Sequence, residues 1–391
     1  MAYIGKTPTS VPLTSSDITD GIITTTKIAD ANVTNPKLTS GSQQNFRNII
    51  INGDMSIAQR STSETGVSTT GYYTVDRFKL TNASSGTWTQ SQSTDVPTSQ
   101  GFATSLKMDC TTADASPSAS DVLILQQLIE GQNLQYLKKG TANAESLTLS
   151  FWVKSNKTGT YICELRDIDN NRTISQSYTI SSASTWEKKT LTFAGDTSGA
   201  LDNNNAESLR CSFFLNAGSD YTSGTLQTSW GSLTGTDRAV GQVNIADSTS
   251  NDFYITGVQL EAGTSASDFE FLPYDVNLQR CQRYFQKIES SADWQVFASK
   301  NDSTTEVYAT LSLPTSLRAS PTLNNPNFNY FDSSSSQSNS GGSTTVRKVS
   351  NNNSLLTLIK SGFTSITGNR VSIISPTQDL TIDSELWLYK V

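Results

Sequence analysis

Short stretches of alternating apolar and polar residues occupy the chain from residue 46 to residue 274, separated by Gly, Asn, Asp and Ser. The clearest example is Ser146–Lys154, in which every second residue from Leu147 to Val153 is apolar. Because the side chains of a strand point alternately to its two faces, this period predicts strands with one buried face. The other predicted strands are Asn48–Asn52, Thr74–Leu80, Gly86–Ser93, Ser105–Thr111, Val122–Glu130, Gly159–Asp167, Thr173–Ile180, Glu187–Phe193, Leu209–Leu215 and Asp252–Glu261.

Eleven short strands within residues 46–274 are typical of a two-sheet jelly roll. The predicted fold class is therefore all-β, with this central jelly-roll sandwich as its largest domain. The polar stretches Gly195–Asn205 and Asn216–Asp247 are predicted to be long loops, where binding residues are often found.

The pattern changes after the jelly roll. Apolar residues at helical spacing, from Leu278 to Ile288, predict one linking helix over residues 275–290, with Asp275 as its N-cap. Residues 291–391 return to β patterning and are predicted to form a C-terminal β-sandwich. Its predicted strands are Trp294–Ser299, Glu306–Leu313, Thr344–Val349, Leu355–Lys360, Arg370–Ser375 and Ser384–Val391. Asp332–Ser343, rich in Ser, Asn and Gly, is predicted to be a long exposed loop.

Residues 1–45 are too polar to form a core of their own, yet they contain a ten-residue repeat. The repeated aliphatic positions are Ile18, Ile23, Ile28, Val33 and Leu38. A single copy cannot bury these side chains, whereas copies from neighbouring chains or a partner surface can. The segment is therefore predicted to be an extended anchor that orders in an oligomer or on a partner; a flexible linker is the alternative.

Composition narrows the function classes. The chain has 28 Lys and Arg against 35 Asp and Glu, and the resulting net charge of −7 argues against duplex nucleic acid as a partner. The sequence contains no apolar stretch of the ~20 residues that a membrane helix needs, so membrane insertion is not expected. Residues 1–12 lack the pattern of a secretory signal, which predicts synthesis in a cytosol without Sec export.

Several catalytic and metal-binding chemistries are excluded by the residue types. The chain has no histidine, which removes Ser-His-Asp triads and histidine metal sites. Its cysteines lack a C-x-x-C pair and are predicted to be reduced thiols in or near the cores: Cys110, Cys163, Cys211 and Cys281. The D-x-D-x-N sequence that begins at Asp167 has Arg172 and Tyr178 where a calcium loop needs Gly and Glu. It is predicted to be a hairpin turn.

Aromatic side chains are the usual platforms for sugars, since a pyranose ring has an apolar face that stacks on them. Candidates outside the clear core alternation are Trp88, Tyr136, Trp186, Tyr221 and Trp230. Most aromatic residues of a sandwich lie in its core, so each one is also a candidate core residue.

The two ends of the jelly roll resemble those of known domains. Asn48-Ile-Ile-Ile-Asn-Gly-Asp-Met55 and Tyr254-Ile-Thr-Gly-Val-Gln-Leu-Glu261 are similar to the opening and closing strands of jelly-roll carbohydrate-binding modules. Together with Leu278-Gln-Arg-Cys-Gln-Arg-Tyr-Phe285 and Arg318-Ala-Ser-Pro321, they make the chain resemble bacteriophage tail-fibre and related virion fibre proteins.

The resemblance implies a homotrimer on the virion, attached to other virion proteins by its N-terminus and exposed on the particle surface. Carbohydrate-binding modules of this type often hold a structural calcium near their first and last strands. The nearest matching acids are Asp54 and Asp252. Thr256 and Gly257 stand where paired aspartates are often found. No other cofactor is implied.

The leading hypothesis is a non-enzymatic fibre that is anchored by residues 1–45 and contacts host surface polysaccharide. A second is a structural protein of the virion without sugar binding: a head fibre, a tail adaptor or a decoration protein. A third is a glycan-degrading spike, for which Asp268, Glu270 and Asp275 are the carboxylates that cluster in sequence.

Overall fold

The structure is a computed structural model that describes residues 46–290, 297–324, 326–332, 336–339, 342–349, 354–368 and 370–385. The predicted anchor lies outside the described residues, and with it Ile18, Ile23, Ile28, Val33 and Leu38. The first part of the chain contains β1 (Ser63–Val67), β2 (Gly71–Tyr72), β3 (Lys79–Ala83), β4 (Thr87–Ser93), β5 (Ser105–Thr112), β6 (Val122–Glu130), β7 (Leu147–Ser155), β8 (Gly159–Asp167), β9 (Arg172–Ile180), β10 (Glu187–Phe193), β11 (Glu207–Ala217), α1 (Ser219–Thr222), β12 (Gly231–Ser232) and β13 (Asp252–Ala262). Single 3-10 turns occur at Gly131–Asn133, Gln135–Leu137, Gly235–Asp237 and Ile245–Asp247.

The remaining elements follow the jelly roll. They are α2 (Tyr274–Gln282), β14 (Phe285–Ile288), β15 (Phe297–Asn301), β16 (Glu306–Ser312), β17 (Thr322–Leu323), β18 (Phe328–Phe331), β19 (Ser336–Asn339), β20 (Thr344–Val349), β21 (Leu355–Ser361), β22 (Val371–Pro376) and β23 (Leu380–Asp383). The predicted all-β fold class is therefore confirmed. Among the described residues, none of the helices is both long enough and apolar enough to cross a membrane.

Two antiparallel sheets form the central sandwich. Sheet A has the strand order β1-β4-β5-β13-β7-β10, and sheet B has the order β12-β9-β8-β11-β6-β3-β2. The closing strand β13 lies in the middle of sheet A, where it pairs with β5 on one side and β7 on the other. Such crossing connections, with the last strand at the centre, are expected for a jelly roll.

The sandwich core is built by the alternation that the sequence shows. Leu149, Phe151 and Val153 of β7 are fully buried in one hydrophobic cluster with inward side chains of sheet B such as Phe213. The Phe151 and Phe213 rings meet edge to face with centroids 5.1 Å apart. Aromatic pairs prefer this geometry because the positive ring edge faces the negative ring face.

The opening segment does not form the predicted strand Asn48–Asn52. It runs beside β13, but the side chain of Asn48 makes much of the contact: its oxygen accepts from the amides of Ile50 and Leu260, and its nitrogen donates to the carbonyl of Val258. Asn48 is buried, so these bonds satisfy backbone groups that would otherwise lack partners.

The predicted linking helix is shorter than expected, and the predicted N-cap is wrong. Helix α2 ends at Gln282, its N-cap is Pro273, and Asp275 lies in its first turn. The chain then becomes extended and forms β14, which pairs with β23 of the C-terminal domain. The apolar stripe is therefore divided: Cys281 and Tyr284 pack under the jelly roll, whereas Ile288 packs in the second core.

The C-terminal domain is a second sandwich. Sheet C has the order β14-β23-β17, and sheet D has the order β19-β18-β22-β15-β16-β21-β20. Side chains from both sheets, including Ile382 of β23 and Leu358 of β21, share one hydrophobic cluster. The predicted loop Asp332–Ser343 contains a strand, because β19 pairs with β18 there. Most of the predicted strand Ser384–Val391 and the start of Trp294–Ser299 lie outside the described residues.

A buried ion pair joins the two sandwiches. Arg77 is 1% exposed and donates to the carboxylate of Glu385 and to the carbonyl of Leu128. Its guanidinium carbon lies 3.4 Å from the ring centroid of Tyr284. A buried charge is costly unless it is paired, so this arrangement makes the last described residues part of the jelly roll's own stability.

Two smaller predictions are confirmed. The D-x-D-x-N sequence is the hairpin turn between β8 and β9, where Asn170 donates to the side chain of Asp167 and Asn171 has a positive φ of 50°. All four cysteines are buried and free. Burial raises the pKa of Cys211 to about 12, which keeps its thiol protonated.

Replacing Phe151 by Ala is expected to lower the free energy of unfolding by about 3–5 kcal/mol, because the change leaves a cavity between the two sheets. Urea unfolding followed by tryptophan fluorescence measures the effect. Thr190→Ala, on an exposed site of the same sheet, is the matched control and should change stability little. Equal, small effects of both changes would contradict the assigned core.

Asp76 gives the fold a defined pH dependence. Burial raises its pKa from 3.8 to about 6, against the opposing effects of Arg60 and of hydrogen bonds from Gln59. Between pH 4 and 6 the folded chain therefore holds a proton that the unfolded chain has released, and the free energy of unfolding falls as the pH rises. The difference between the two values corresponds to about 3 kcal/mol. Asp76→Asn should remove that decline in urea unfolding series at pH 4, 5, 6 and 7.

Asp109→Asn is the control for this series, because the Asp109 side chain is 44% exposed. It should leave the decline in place. A decline that is the same in Asp76→Asn as in the unchanged chain would show that other groups cause it.

Candidate functional site

The outer face of sheet A presents a group of large aromatic and charged side chains. Because Phe151 and Val153 point into the core, Trp152 and Lys154 of β7 must point outward. The same alternation in β13 places Phe253 and Ile255 inside and Tyr254 outside. The face of a sheet that would ordinarily be polar thus carries aromatic rings.

Strand register brings these side chains together. Tyr254 lies directly opposite Lys154, and Trp152 lies opposite Thr256, which places Trp152 diagonal to Tyr254. Diagonal neighbours are about 7–8 Å apart, within reach of aromatic side chains. Trp186, which precedes β10, completes the group with its ring centroid 6.1 Å from that of Tyr254, edge to face. We call Trp152, Trp186, Tyr254, Lys154 and Asp95 the aromatic patch.

Charged groups hold the patch in place. The Lys154 ammonium lies 4.2 Å from the Tyr254 ring centroid and 5.5 Å from that of Trp186, and it donates to the carboxylate of Asp95. The indole N–H of Trp186 also donates to Asp95, at 2.9 Å. Burial alone would raise the pKa of Asp95, but hydrogen bonds from Lys154 and Trp186 lower it below its ordinary value. Asp95 is therefore charged at neutral pH.

A second lysine flanks Tyr254 on the opposite side. Lys107 of β5 lies 5.6 Å from the Tyr254 ring and 3.3 Å from a carboxylate oxygen of Asp109. Burial would lower the pKa of Lys107, whereas Tyr254 and Asp109 raise it, with a net increase. Lys107 and Lys154, the two lysines beside Tyr254, are thus each paired with a carboxylate, Asp109 and Asp95 respectively.

The other half of the outer face is covered by the chain itself. Residues 263–272 fold over it, and Ser267 donates to the carboxylate of Glu261. Beside it, Phe102 packs against Phe269 and Phe271, with ring centroids 5.1 Å apart in each case. Phe102 lies where a side chain at Gly257 would be, and Gly257 adopts a φ of 62° that favours glycine. The aromatic patch lies outside this covered half.

The patch has the chemistry to contact a sugar. Trp152 and Trp186 are half-buried, so each ring retains an accessible surface. Lys154 and Asp95 provide a donor and an acceptor for hydroxyl groups beside those surfaces. Because the rings are held by strands and by hydrogen bonds, little conformational entropy is lost when a ligand stacks on them.

The five predicted sugar-binding aromatics do not converge. Trp88 is wrong as a platform: its side chain is 0% exposed in the sandwich core, and its indole N–H donates to the carbonyl of Ser85. Trp230 packs against the core edge and donates to the carbonyl of Ala194. Of the predicted tryptophans, only Trp186 belongs to the aromatic patch.

The two predicted tyrosines lie elsewhere. Tyr221 of α1 packs on an apolar cluster on the outer face of sheet B, and Arg238 lies 5.5 Å from its ring. Tyr221 thereby packs the long loop after β11 against the outer face of sheet B. Tyr136 is 49% exposed and lines a cavity beneath the opening segment.

The predicted calcium acids are separated along β13. Asp252 begins the strand, whereas the carbonyl of Asp54 accepts from Thr256, four residues later, or roughly 13 Å along a strand. The Asp54 carboxylate accepts from Ser56 and Asn277. Within the described part of the chain, no three Asp, Glu or Cys side chains come together as metal ligands.

Trp152 and Tyr254 were not among the predicted site residues, although the sequence contains a signal for Trp152. The alternation of Leu149, Phe151 and Val153 places it on the opposite face. For Tyr254 the signal is weaker, because its neighbours on both sides are apolar and the strand can be interpreted as buried on both faces.

Comparisons with known proteins give distant structural likenesses. No family model matches the chain, and no curated protein matches it. The enzymatically active domain of tailspike protein 4 of bacteriophage CBA120 aligns with 55% of the chain at 16% identity and a TM-score of 0.29. The alignment covers 21% of that protein, so this chain spans about a fifth of its length.

Carbohydrate-binding modules are also similar. TmCBM61 in complex with β-1,4-galactotriose aligns with 55% of this chain and 99% of its own, at 10% identity and a TM-score of 0.26. A family 11 module of a Clostridium thermocellum cellulosomal cellulase covers 56% of this chain and 96% of its own, at 11% identity and a TM-score of 0.25. At such identities, function must be inferred from the residues of the chain itself.

Proposed function

We propose that the chain is a structural virion fibre of the tail-fibre type whose aromatic patch contacts polysaccharide on the host surface. The observation that supports this proposal is the placement of the half-buried Trp152 and Trp186 on one outward sheet face, on either side of the Tyr254 ring, which is only 8% exposed. Soluble domains place most large aromatic side chains inside, so such a group on a surface marks an interaction site.

The charges of the patch favour a neutral polysaccharide. Lys107 and Lys154 are each balanced by a carboxylate, Asp109 and Asp95 respectively. Neither a strongly anionic nor a strongly cationic chain would gain much from this balance. A neutral sugar can stack on the rings while its hydroxyl groups exchange hydrogen bonds with the paired side chains.

The N-terminal segment is assigned the assembly of the fibre. Residues 1–45 attach the fibre to other virion proteins, and their decapeptide repeat is buried among three copies of the chain. Three sugar sites on one fibre raise the overall avidity, so each site can bind weakly. A closed threefold arrangement also offers one consistent environment to the repeated aliphatic side chains.

The proposed role is non-enzymatic. Glu270, one of the carboxylates that cluster in sequence, accepts hydrogen bonds from the backbone amides of Phe46 and Asn48. These contacts use both of its oxygens to fasten the opening segment. Glu270 therefore has a structural role, which explains its position without assigning it a part in catalysis.

Trp186→Ala and Trp152→Ala are each expected to weaken binding of the full chain to host cells and to extracted surface polysaccharide about tenfold or more, as is typical when a central aromatic contact is truncated. Binding is measured by fluorescence of labelled protein on cells and by calorimetry with the polysaccharide. Neither substitution removes a core side chain, so circular dichroism should be unchanged.

Tyr274→Ala is the matched control, because Tyr274 is 65% exposed and lies on α2 outside the patch. It should leave binding unchanged. If the unchanged protein binds neither cells nor polysaccharide, the sugar-binding role is wrong and the adaptor or decoration protein becomes the better interpretation. Binding that survives loss of both tryptophans would move the site away from the patch.

The assembly has its own test. Sedimentation of the full chain should give three times the mass of 42.3 kDa. Ile28→Asp together with Val33→Asp should lower the mass, because charges are then placed where the repeat would be buried. A monomer before substitution, or a trimer that persists after it, would contradict the role assigned to the repeat.

A further inference from the structure

A cavity of 330 Å³ lies beneath the opening segment, and none of its lining residues belongs to the aromatic patch. The opening segment, the end of β6 with the turn after it, and α2 enclose it. Among the described residues that line it there are three arginines, Arg77, Arg280 and Arg283, and no Asp or Glu. A protein with a net charge of −7 therefore contains a concave site that is lined by three arginines and by no acidic side chain among the described residues.

Two of the three guanidinium groups are already neutralised. Arg77 is paired with Glu385 and stacks on Tyr284. Arg283 makes two hydrogen bonds, of 2.8 and 2.7 Å, to the carboxylate of Glu130. Arg283 thus makes a two-pronged contact with a carboxylate, and the two terminal nitrogens of Arg77 are taken by Glu385 and by the carbonyl of Leu128, so both arginines have little capacity left for a ligand.

Arg280 is different. Among the described residues, its Nη2 donates to the carbonyl of Asn48 over a distance of 3.3 Å. Within the described part of the chain it forms no salt bridge, although Glu270, which lines a neighbouring cleft with it, contributes to its electrostatic environment. Burial lowers the pKa of Arg280, the change expected when a cation loses its hydration without gaining a close partner.

The other walls suit a small polar molecule with an apolar face. Ile49, Ile51 and Ile129 supply apolar surface. Asn133 and Tyr136 lie on exposed parts of the lining, and their amide and hydroxyl can donate to or accept from hydroxyl groups. The volume falls at the lower end of the range for small-molecule sites, about 300–1,000 Å³.

We propose that this cavity binds one sugar unit that carries a carboxylate, with the carboxylate on Arg280 and the ring between the isoleucine wall and Tyr136. Arg280 gains the close anionic partner that the described residues do not provide. The proposal stands whether or not the aromatic patch binds polysaccharide, because the two sites share no residue.

Calorimetry of the full chain with galacturonate and with galactose tests the proposal. The two sugars differ only at C6, where galacturonate has a carboxylate and galactose a hydroxymethyl group. Galacturonate should bind at least tenfold more tightly than galactose. Arg280→Gln should weaken galacturonate binding about 10–100-fold, the usual loss for a charge-assisted contact. Lys300→Gln, which removes one exposed positive charge in sheet D, is the matched control and should have no effect.

Other ligands and variants distinguish a sugar site from a general anion site. Acetate and inorganic phosphate report whether the site selects any anion, and Tyr136→Ala tests the ring contact if Arg280→Gln fails to fold. Trp186→Ala should leave galacturonate binding intact, which distinguishes this site from the aromatic patch. The proposal is overturned if galacturonate does not bind, if phosphate or acetate binds as tightly, or if folded Arg280→Gln or Tyr136→Ala protein keeps full affinity.

Discussion

A strand has two faces, and the core of a sandwich can bury only one of them. In sheet A this constraint decides what the surface carries, because Phe151 and Val153 commit β7 to one orientation and leave Trp152 and Lys154 outside. The same holds for β13, where Phe253 and Ile255 fix Tyr254 outward. The aromatic patch is therefore a consequence of the core: shifting either strand by one residue would bury the patch and expose the core together.

The junction between the two sandwiches obeys a different rule, that of charge neutrality in a dry environment. Arg77 and Glu385 compensate each other, and Glu130 compensates Arg283 beside the ring of Tyr284. Arg280 of α2 lines the same cavity as Arg77 and Arg283, but among the described residues it forms no salt bridge with a carboxylate. Among the described residues, two of these cations have a close carboxylate partner and Arg280 does not, and this difference is the basis of the ligand-binding role proposed for Arg280.

Much of the fold could be predicted from the sequence, because alternation is strongest where a strand is buried on one face. Sequence reasoning failed where side chains replaced regular backbone pairing, as at Asn48, and where one apolar stripe served two domains, as between Cys281 and Ile288. The misassigned Trp88 has a similar cause: Gln90, two residues later on the same face, is also buried, so β4 shows no apolar period. The cavity could not be predicted, because its walls come from segments far apart in sequence, with 76 residues from Ile51 to Gln127 and 144 from Tyr136 to Arg280.

The pairing of Arg77 with Glu385 spans 308 residues of sequence, and this separation bears on how the chain is made. A ribosome adding about 5–20 residues per second needs roughly 15–60 s to travel from one partner to the other. Throughout that interval the nascent jelly roll holds a cation whose partner does not yet exist, in a site that the finished molecule keeps dry. The ion pair between the two sandwiches can therefore form only after the second sandwich has been synthesised.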